Sequence, residues 1–92
     1  MKLEHVDGKD NGKIILYALS TCQWCRMTRD LLSSLGVKYD YAYVDLLKGK
    51  DREQAVNDVR RLNPSISFPT VVAGDKVIIG FNEKEIRAAL GA

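Results

Sequence analysis

Cys22 and Cys25 are the only cysteines of this chain, and they stand as Cys22-Gln23-Trp24-Cys25 after the apolar run Ile14-Ile15-Leu16-Tyr17-Ala18. Two thiols at that spacing can close a disulfide and open it again. A bridge across so short a loop removes little entropy from the unfolded chain, so it is a weak staple and a better switch. A sulfur at a helix start meets unsatisfied backbone N–H groups and the positive end of the helix dipole, both of which favour the thiolate. Cys22 is expected at such a start, as nucleophile. Cys25 lies one turn further in, nearer the core, and is expected to be the less exposed, resolving thiol. Attack by Cys22 on a disulfide would form a mixed disulfide, and attack by Cys25 on Cys22 would release the reduced product. Arg26 and Arg29 follow on the same helix. Both could add positive potential near Cys22; for Arg26 that reading and a solvated side chain stand equal, whereas for Arg29 a solvated helix face is the favoured reading.

The elements that must position this pair are legible in outline. Lys13 to Ala18 is short, β-branched and aromatic, which predicts a buried strand, and Ser20-Thr21 break it. From Gln23 the apolar positions Trp24, Met27, Leu31, Leu32 and Leu35 recur at helical steps, and Gly36 supplies a stop. Val37 to Leu46 alternates, with Val37, Tyr39, Tyr41, Tyr43 and Asp45 on one face of an expected half-exposed strand. Lys48-Gly49-Lys50 reads as a turn. Asp51 with Gln54 fits a capping box for a second helix, whose inward face is Ala55, Val56, Val59 and Leu62 and which ends before Asn63-Pro64. Thr70 to Ala73 and Lys76 to Ile79, joined by Gly74-Asp75, predict an antiparallel hairpin. Asn82 with Glu85 starts a last helix that carries Ile86, Ala89 and Leu90 inward and stops at Gly91. The order strand, helix, strand, helix, strand, strand, helix implies a right-handed crossover between two parallel strands. The hairpin then completes a four-stranded mixed sheet with helices on both faces.

Ninety-two residues, 46% hydrophobic and 28% charged, suit one soluble domain. Residues 1–12 form a polar lead expected to be flexible, and residues 13–92 form the domain. The formal charge of +2 comes from 14 basic and 12 acidic residues scattered along the chain, which argues against a nucleic-acid partner. The tyrosines at 39, 41 and 43 lack the basic cluster of a base-stacking surface and read as strand packing. The polar first dozen residues do not form a signal peptide and no apolar run reaches membrane-spanning length, so a cytoplasmic protein without a membrane partner is expected. In that compartment a Cys-x-x-Cys pair stays reduced unless it is catalytic, redox-sensing or metal-binding. Structural zinc takes four ligands, and Cys22, Cys25 and a solvated His5 fall short of them, so no metal site is assigned. A monomer is expected.

Ser67-Phe68-Pro69-Thr70 is the second informative stretch. A proline before a β-branched strand holds Phe68 extended. The plain reading is a trans proline at a strand entrance; the sharper one is a cis Phe68–Pro69 bond presenting the Phe68 backbone to an extended substrate.

Tyr17 through Cys25, followed by helix, strand and helix, then Phe68-Pro69-Thr70-Val71-Val72 and Gly80-Phe81-Asn82, resembles the glutaredoxin-like members of the thioredoxin superfamily over Lys13 to Leu90. The resemblance implies an α/β thioredoxin fold (βαβαββα) and a thiol-disulfide oxidoreductase that reduces protein or small-molecule disulfides. It places the nucleophile at Cys22, the resolving thiol at Cys25, and a cis proline facing them at Pro69. It also implies that Gly80 helps bind a glutathione moiety and that Trp24 lines the substrate groove. Thr21, Gln23, Phe68 and Phe81 complete the expected substrate-binding set. No tightly bound cofactor is implied.

The electron donor is expected to be glutathione or a thioredoxin reductase-like protein, and the chain departs from the glutathione-using pattern. Leu19 stands where glutaredoxins usually carry a lysine for a glutathione carboxylate, Ile79-Gly80 replaces a glycine pair, and Asn82-Glu83 replaces an acidic pair. Gly80-Phe81 is more similar to the glutaredoxin-like hydrogen donors of ribonucleotide reductase, which draw electrons from thioredoxin reductase. Gln23 replaces a common proline, and some members with a non-proline residue there bridge an iron–sulfur cluster between two subunits. A cluster- or metal-binding module and a non-catalytic adaptor are the alternatives.

Overall fold

Residues 14–18 carry apolar side chains at every position because both faces of that strand are covered. Ile14, Leu16 and Ala18 enter one hydrophobic cluster, while Ile15 and Tyr17 enter a second on the opposite side. Strands buried on both faces read as continuous apolar runs and not as alternation. The computed structural model describes residues 3–91. Its elements are β1 (Glu4–Val6), β2 (Ile14–Ala18), α1 (Gln23–Ser34), β3 (Tyr39–Tyr43), a 3-10 turn (Val44–Leu46), α2 (Gly49–Leu62), β4 (Thr70–Ala73), β5 (Lys76–Ile79) and α3 (Glu83–Leu90).

The sheet runs β1-β3-β2-β4-β5. β2 and β3 are parallel, with Leu16 opposite Tyr41; β4 lies antiparallel to β2 with Leu16 opposite Val71, and β5 closes the hairpin with Val71 opposite Ile78. Leu31 and Leu32 of α1 and Ile86 and Leu90 of α3 pack on one face, and Ala55 and Val59 of α2 on the other. This is the mixed α/β thioredoxin-like arrangement, with helices on both faces.

The sheet has five strands where four are expected from the sequence. Glu4–Val6 pairs antiparallel with β3, His5 opposite Asp40, and Lys9 forms a further bridge to Val37. Strand pairing is made by backbone groups, so an edge strand needs no apolar pattern, and the polar lead carried none. His5 is exposed, as expected, and its Nδ1 lies 2.7 Å from the Asp40 carboxylate at the surface.

Three boundaries also shift. β3 ends at Tyr43, and the chain turns through Val44–Leu46 so that Val44 joins the α2 cluster in place of continuing the alternation. α2 starts at Gly49, with Lys48 as its N-cap, so Asp51 sits inside the first turn and is not the cap. There it is an acidic residue where the helix dipole favours one. In α1 the buried stripe is Cys25, Thr28, Leu31 and Leu32, while Trp24 is exposed. Thr28 satisfies its buried hydroxyl by donating to the Trp24 carbonyl at 2.8 Å. Leu16 and Leu32 have no accessible surface, and truncating either to alanine is expected to cost about 2–5 kcal/mol.

Candidate active site

The site is built where β2 ends and α1 begins. After Ala18 the chain turns, with the Cys22 N–H donating to the Leu19 carbonyl at 3.3 Å. Cys22 is the N-cap of α1, in an extended conformation, and its Sγ accepts the Cys25 N–H at 3.2 Å. A sulfur occupies the place where Ser, Thr or Asp oxygens usually satisfy the first free N–H groups of a helix. Cys22 is half-buried, whereas Cys25 is 1% exposed. Burial pushes the Cys25 thiol up to about 12, and its hydrogen bond to Cys22 adds to that rise. The Leu19 N–H, donating to the Cys25 Sγ at 3.5 Å, opposes it only in part. The pair therefore holds one reachable sulfur and one buried sulfur that keeps its proton and directs it toward the first.

A second wall comes from the loop between α2 and β4. The Phe68–Pro69 peptide bond is cis. Pro69 is buried, its carbonyl accepts the Gly80 N–H at 2.8 Å, and Phe68 packs against both hydrophobic clusters. Trp24, Phe68, Pro69, Gly80 and Phe81 come together around a groove of about 280 Å³. Trp24 is 57% exposed and stacks on Phe81 with ring centroids 6.1 Å apart, so the groove has an aromatic rim facing solvent. Gly80 sits at φ 80°, a left-handed conformation that disfavours any side chain. Of the expected binding residues, Thr21 and Gln23 do not line this groove; they are exposed beside Cys22 in the chain.

Two contributors escape the sequence reading. Asn63, expected only to mark a helix end, is 1% exposed. Its Nδ2 donates to the Ser67 carbonyl, the Ser67 hydroxyl and the Thr70 hydroxyl at 3.2, 2.9 and 3.2 Å, and its Oδ1 accepts the Ser65 N–H. It clamps the loop that carries Pro69. The Asn-Pro pair at the end of an amphipathic helix was the available signal, and it reads as a stop because the clamp spans the loop.

Arg29 is the other. It does not lie on a solvated face: Nε and Nη1 donate to the hydroxyls of Tyr39 and Tyr43 at 3.3 and 2.8 Å, and the guanidinium stacks on the Tyr41 ring at 4.0 Å. Burial works against its charge, but the two tyrosine hydroxyls outweigh it and raise the group above its ordinary value. The alternating tyrosines of β3 pack on the strand as expected, with Tyr39 in the core, and the Tyr39 and Tyr43 hydroxyls and the Tyr41 ring also form the socket of Arg29. Among the described residues no cluster of three or more His, Cys, Asp or Glu side chains is placed to hold a metal, and no helix is long and apolar enough to cross a membrane.

A crossover helix that opens on two thiols of unlike burial, with a proline strand entrance on the neighbouring wall, defines a thiol oxidoreductase of the thioredoxin superfamily. The model of the glutaredoxin family matches residues 14–78; the chain belongs to that family. It is similar to the glutaredoxin of Methanosarcina mazei Go1, at 56% identity and a TM-score of 0.91, covering 100% of this chain and 90% of that one. It is also similar to the methanoredoxin of Methanosarcina acetivorans, at 51% identity and a TM-score of 0.89, over 92% of this chain and 90% of that one. A curated relative, an uncharacterized glutaredoxin-like 8.6 kDa protein in the rubredoxin operon of Clostridium pasteurianum, is 29% identical over 73 residues, 79% of this chain and 91% of its own length.

Proposed function

We propose that this chain reduces disulfides by a two-thiol cycle in which Cys22 attacks and Cys25 resolves. The contrast between the two sulfurs carries the reading: Cys22 is reachable and accepts an N–H, while Cys25 is buried and held up to about 12. Cys22, as thiolate, attacks one sulfur of the substrate; the substrate S–S bond breaks, and its other sulfur leaves as thiolate and takes a proton. Once Cys22 is in the mixed disulfide, it is no longer a charged acceptor for the Cys25 proton, and two of the causes that raise Cys25 are gone. Cys25 then attacks Cys22, the bond between Cys22 and the substrate sulfur breaks, and the proton of Cys25 ends on the departing substrate thiolate. Two electrons have passed to the substrate, and the chain is left with a Cys22–Cys25 disulfide that a donor must reduce.

The groove of Trp24, Phe68, Pro69, Gly80 and Phe81 receives the chain flanking the substrate sulfur; Thr21 and Gln23, which flank Cys22 in the chain, lie outside it. For the donor we favour a protein reductase of the thioredoxin reductase kind over glutathione. Leu19, at the position of the usual cation, is an uncharged side chain packed partly into the α2 cluster, and the cations nearest Cys22 stand instead on α1, at Arg26 and Arg29. Ile79, at the position of the usual first glycine, is a bulky side chain that is 51% exposed.

The reading is tested by turnover of a model disulfide by this chain with two donor systems side by side, glutathione plus glutathione reductase and thioredoxin reductase alone, each with NADPH. Turnover with thioredoxin reductase and weak turnover with glutathione are expected. Efficient glutathione turnover removes the donor assignment. Failure with both donors, together with no reversible loss of two thiol equivalents on mild oxidation, removes the oxidoreductase reading itself.

A further inference from the structure

A second recess opens at the first turns of α1, and the groove does not account for it. It measures about 260 Å³, and its lining includes Cys22, Arg26, Arg29, Asp30, Ser33 and Tyr43. Positions 22, 26, 29 and 33 recur at four- and three-residue steps, so the nucleophile and both arginines share one face of the helix. The groove, by contrast, is reached from Trp24, two residues on, and is walled by aromatic rings and backbone.

Arg29 is set up to receive an anion. Its stack on Tyr41 and its two bonds to Tyr39 and Tyr43 fix the guanidinium, yet they engage two of the five N–H donors of the group. Among the described residues neither Arg26 nor Arg29 has a carboxylate within ion-pair distance. The acidic residues near the recess are Asp30, in its lining, and Asp45, which is occupied by the N–H and hydroxyl of Ser20. A partly buried, pre-oriented guanidinium with no carboxylate at ion-pair distance is the geometry that recognises a carboxylate well, because little side-chain freedom remains to be lost.

We propose that this recess takes the carboxylate of an acidic residue near the reactive cysteine of a polypeptide substrate, so that acidic flanks are selected while the groove holds the apolar flank. The proposal rests on the reading of Cys22 as nucleophile. The recess is lined by Cys22 itself and the groove by Trp24 two residues on, so two sites of unlike chemistry flank the start of α1 and fit a chain that extends to both sides of its cysteine.

The test uses the full chain carrying Cys25→Ser and a set of hexapeptides, each with one cysteine held as a thiopyridyl mixed disulfide. Cys22 attacks the peptide sulfur, the S–S bond breaks, and the thiopyridyl group leaves as a coloured thione that reports the rate. Peptides differ only in having Asp, Asn or Lys at one or two positions on either side of the cysteine. The Asp peptide at its best position is expected to react about fivefold faster than its Asn counterpart, with Lys slower still, and added salt should compress the ratio. Arg29→Gln and Arg26→Gln should each lower the Asp-to-Asn ratio, and Asp30→Asn should raise it. If Arg29→Gln does not fold, Arg26→Gln and Asp30→Asn carry the same comparison. Equal rates for Asp and Asn peptides, or a ratio untouched by either arginine variant, overturn the recess while leaving the dithiol reading standing. Absence of thione release from every peptide removes the dithiol reading, and the recess with it.

Discussion

The two segments that build the candidate site, the start of α1 and the Pro69 loop, are held in different ways. The α1 wall is made locally: Cys22 and Cys25 are joined by an N–H to sulfur bond three residues apart, and Thr28 is tied to Trp24 four residues back. The Pro69 wall is made at a distance. Asn63 at the end of α2 clamps Ser67 and Thr70, Gly80 beyond the hairpin bonds to Pro69, and Tyr17 of β2 pairs with Thr70 of β4. On the proposed reading, chemistry resides in a segment that a single helix turn shapes, while recognition depends on the sheet being assembled. Changes in the first wall should remove turnover with the fold intact, and changes in the second should lower binding and stability together.

The largest effect expected from the first wall is that of Cys22→Ser. Disulfide reduction should fall by at least about a thousandfold, because a serine hydroxyl at neutral pH supplies no comparable nucleophile. The midpoint of thermal unfolding should stay within about 4 °C of the parent, as expected for a change under 1 kcal/mol in a domain of this size. A large drop in that midpoint would show that the local wall also carries the fold.

Asn63→Ala attacks the second wall. It strips the clamp from the Ser67 and Thr70 groups, an effect expected to cost about 1–3 kcal/mol, and it should raise KM more than it lowers kcat. Unchanged unfolding and unchanged KM would break the contrast between the walls. Trp24→Ala is milder: the exposed ring should leave stability within about 0.5 kcal/mol, while KM for substrates with an apolar flank rises several-fold through loss of the stack with Phe81.

A further effect is a pH signature of the buried thiol under reducing conditions. A Cys25 thiol raised in the folded state from 9.0 to about 12 contributes stability that is present below pH 9.0 and is lost as pH climbs toward about 12. Cys25→Ser lacks that group, so the advantage of the parent over the variant should shrink across this range. Chemical unfolding at a series of pH values measures it, and a constant difference would contradict the burial of Cys25.

How much was legible in the sequence follows the same division. The strand Ile14–Ala18, the helix after Cys22, the hairpin at Gly74-Asp75 and the Asn82 cap are each specified by neighbouring residues, and each forms where expected. The dithiol is legible for the same reason. What escaped depends on partners far along the chain. β1 is recruited by the open edge of β3, Arg29 is held by tyrosines ten to fourteen residues away, and Asn63 acts across a loop. A polar residue looks solvated in a sequence until the element that buries it is placed.

The ordered cycle is tested most directly by trapping. Cys25→Ser, treated with a disulfide substrate and mapped by mass spectrometry, should accumulate one adduct, on Cys22, that persists until reductant is added, whereas Cys22→Ser should accumulate none on Cys25. A stable adduct on Cys25 of the Cys22→Ser variant, with Cys22 of the Cys25→Ser variant left unmodified, would reverse the roles of the two sulfurs and contradict the account.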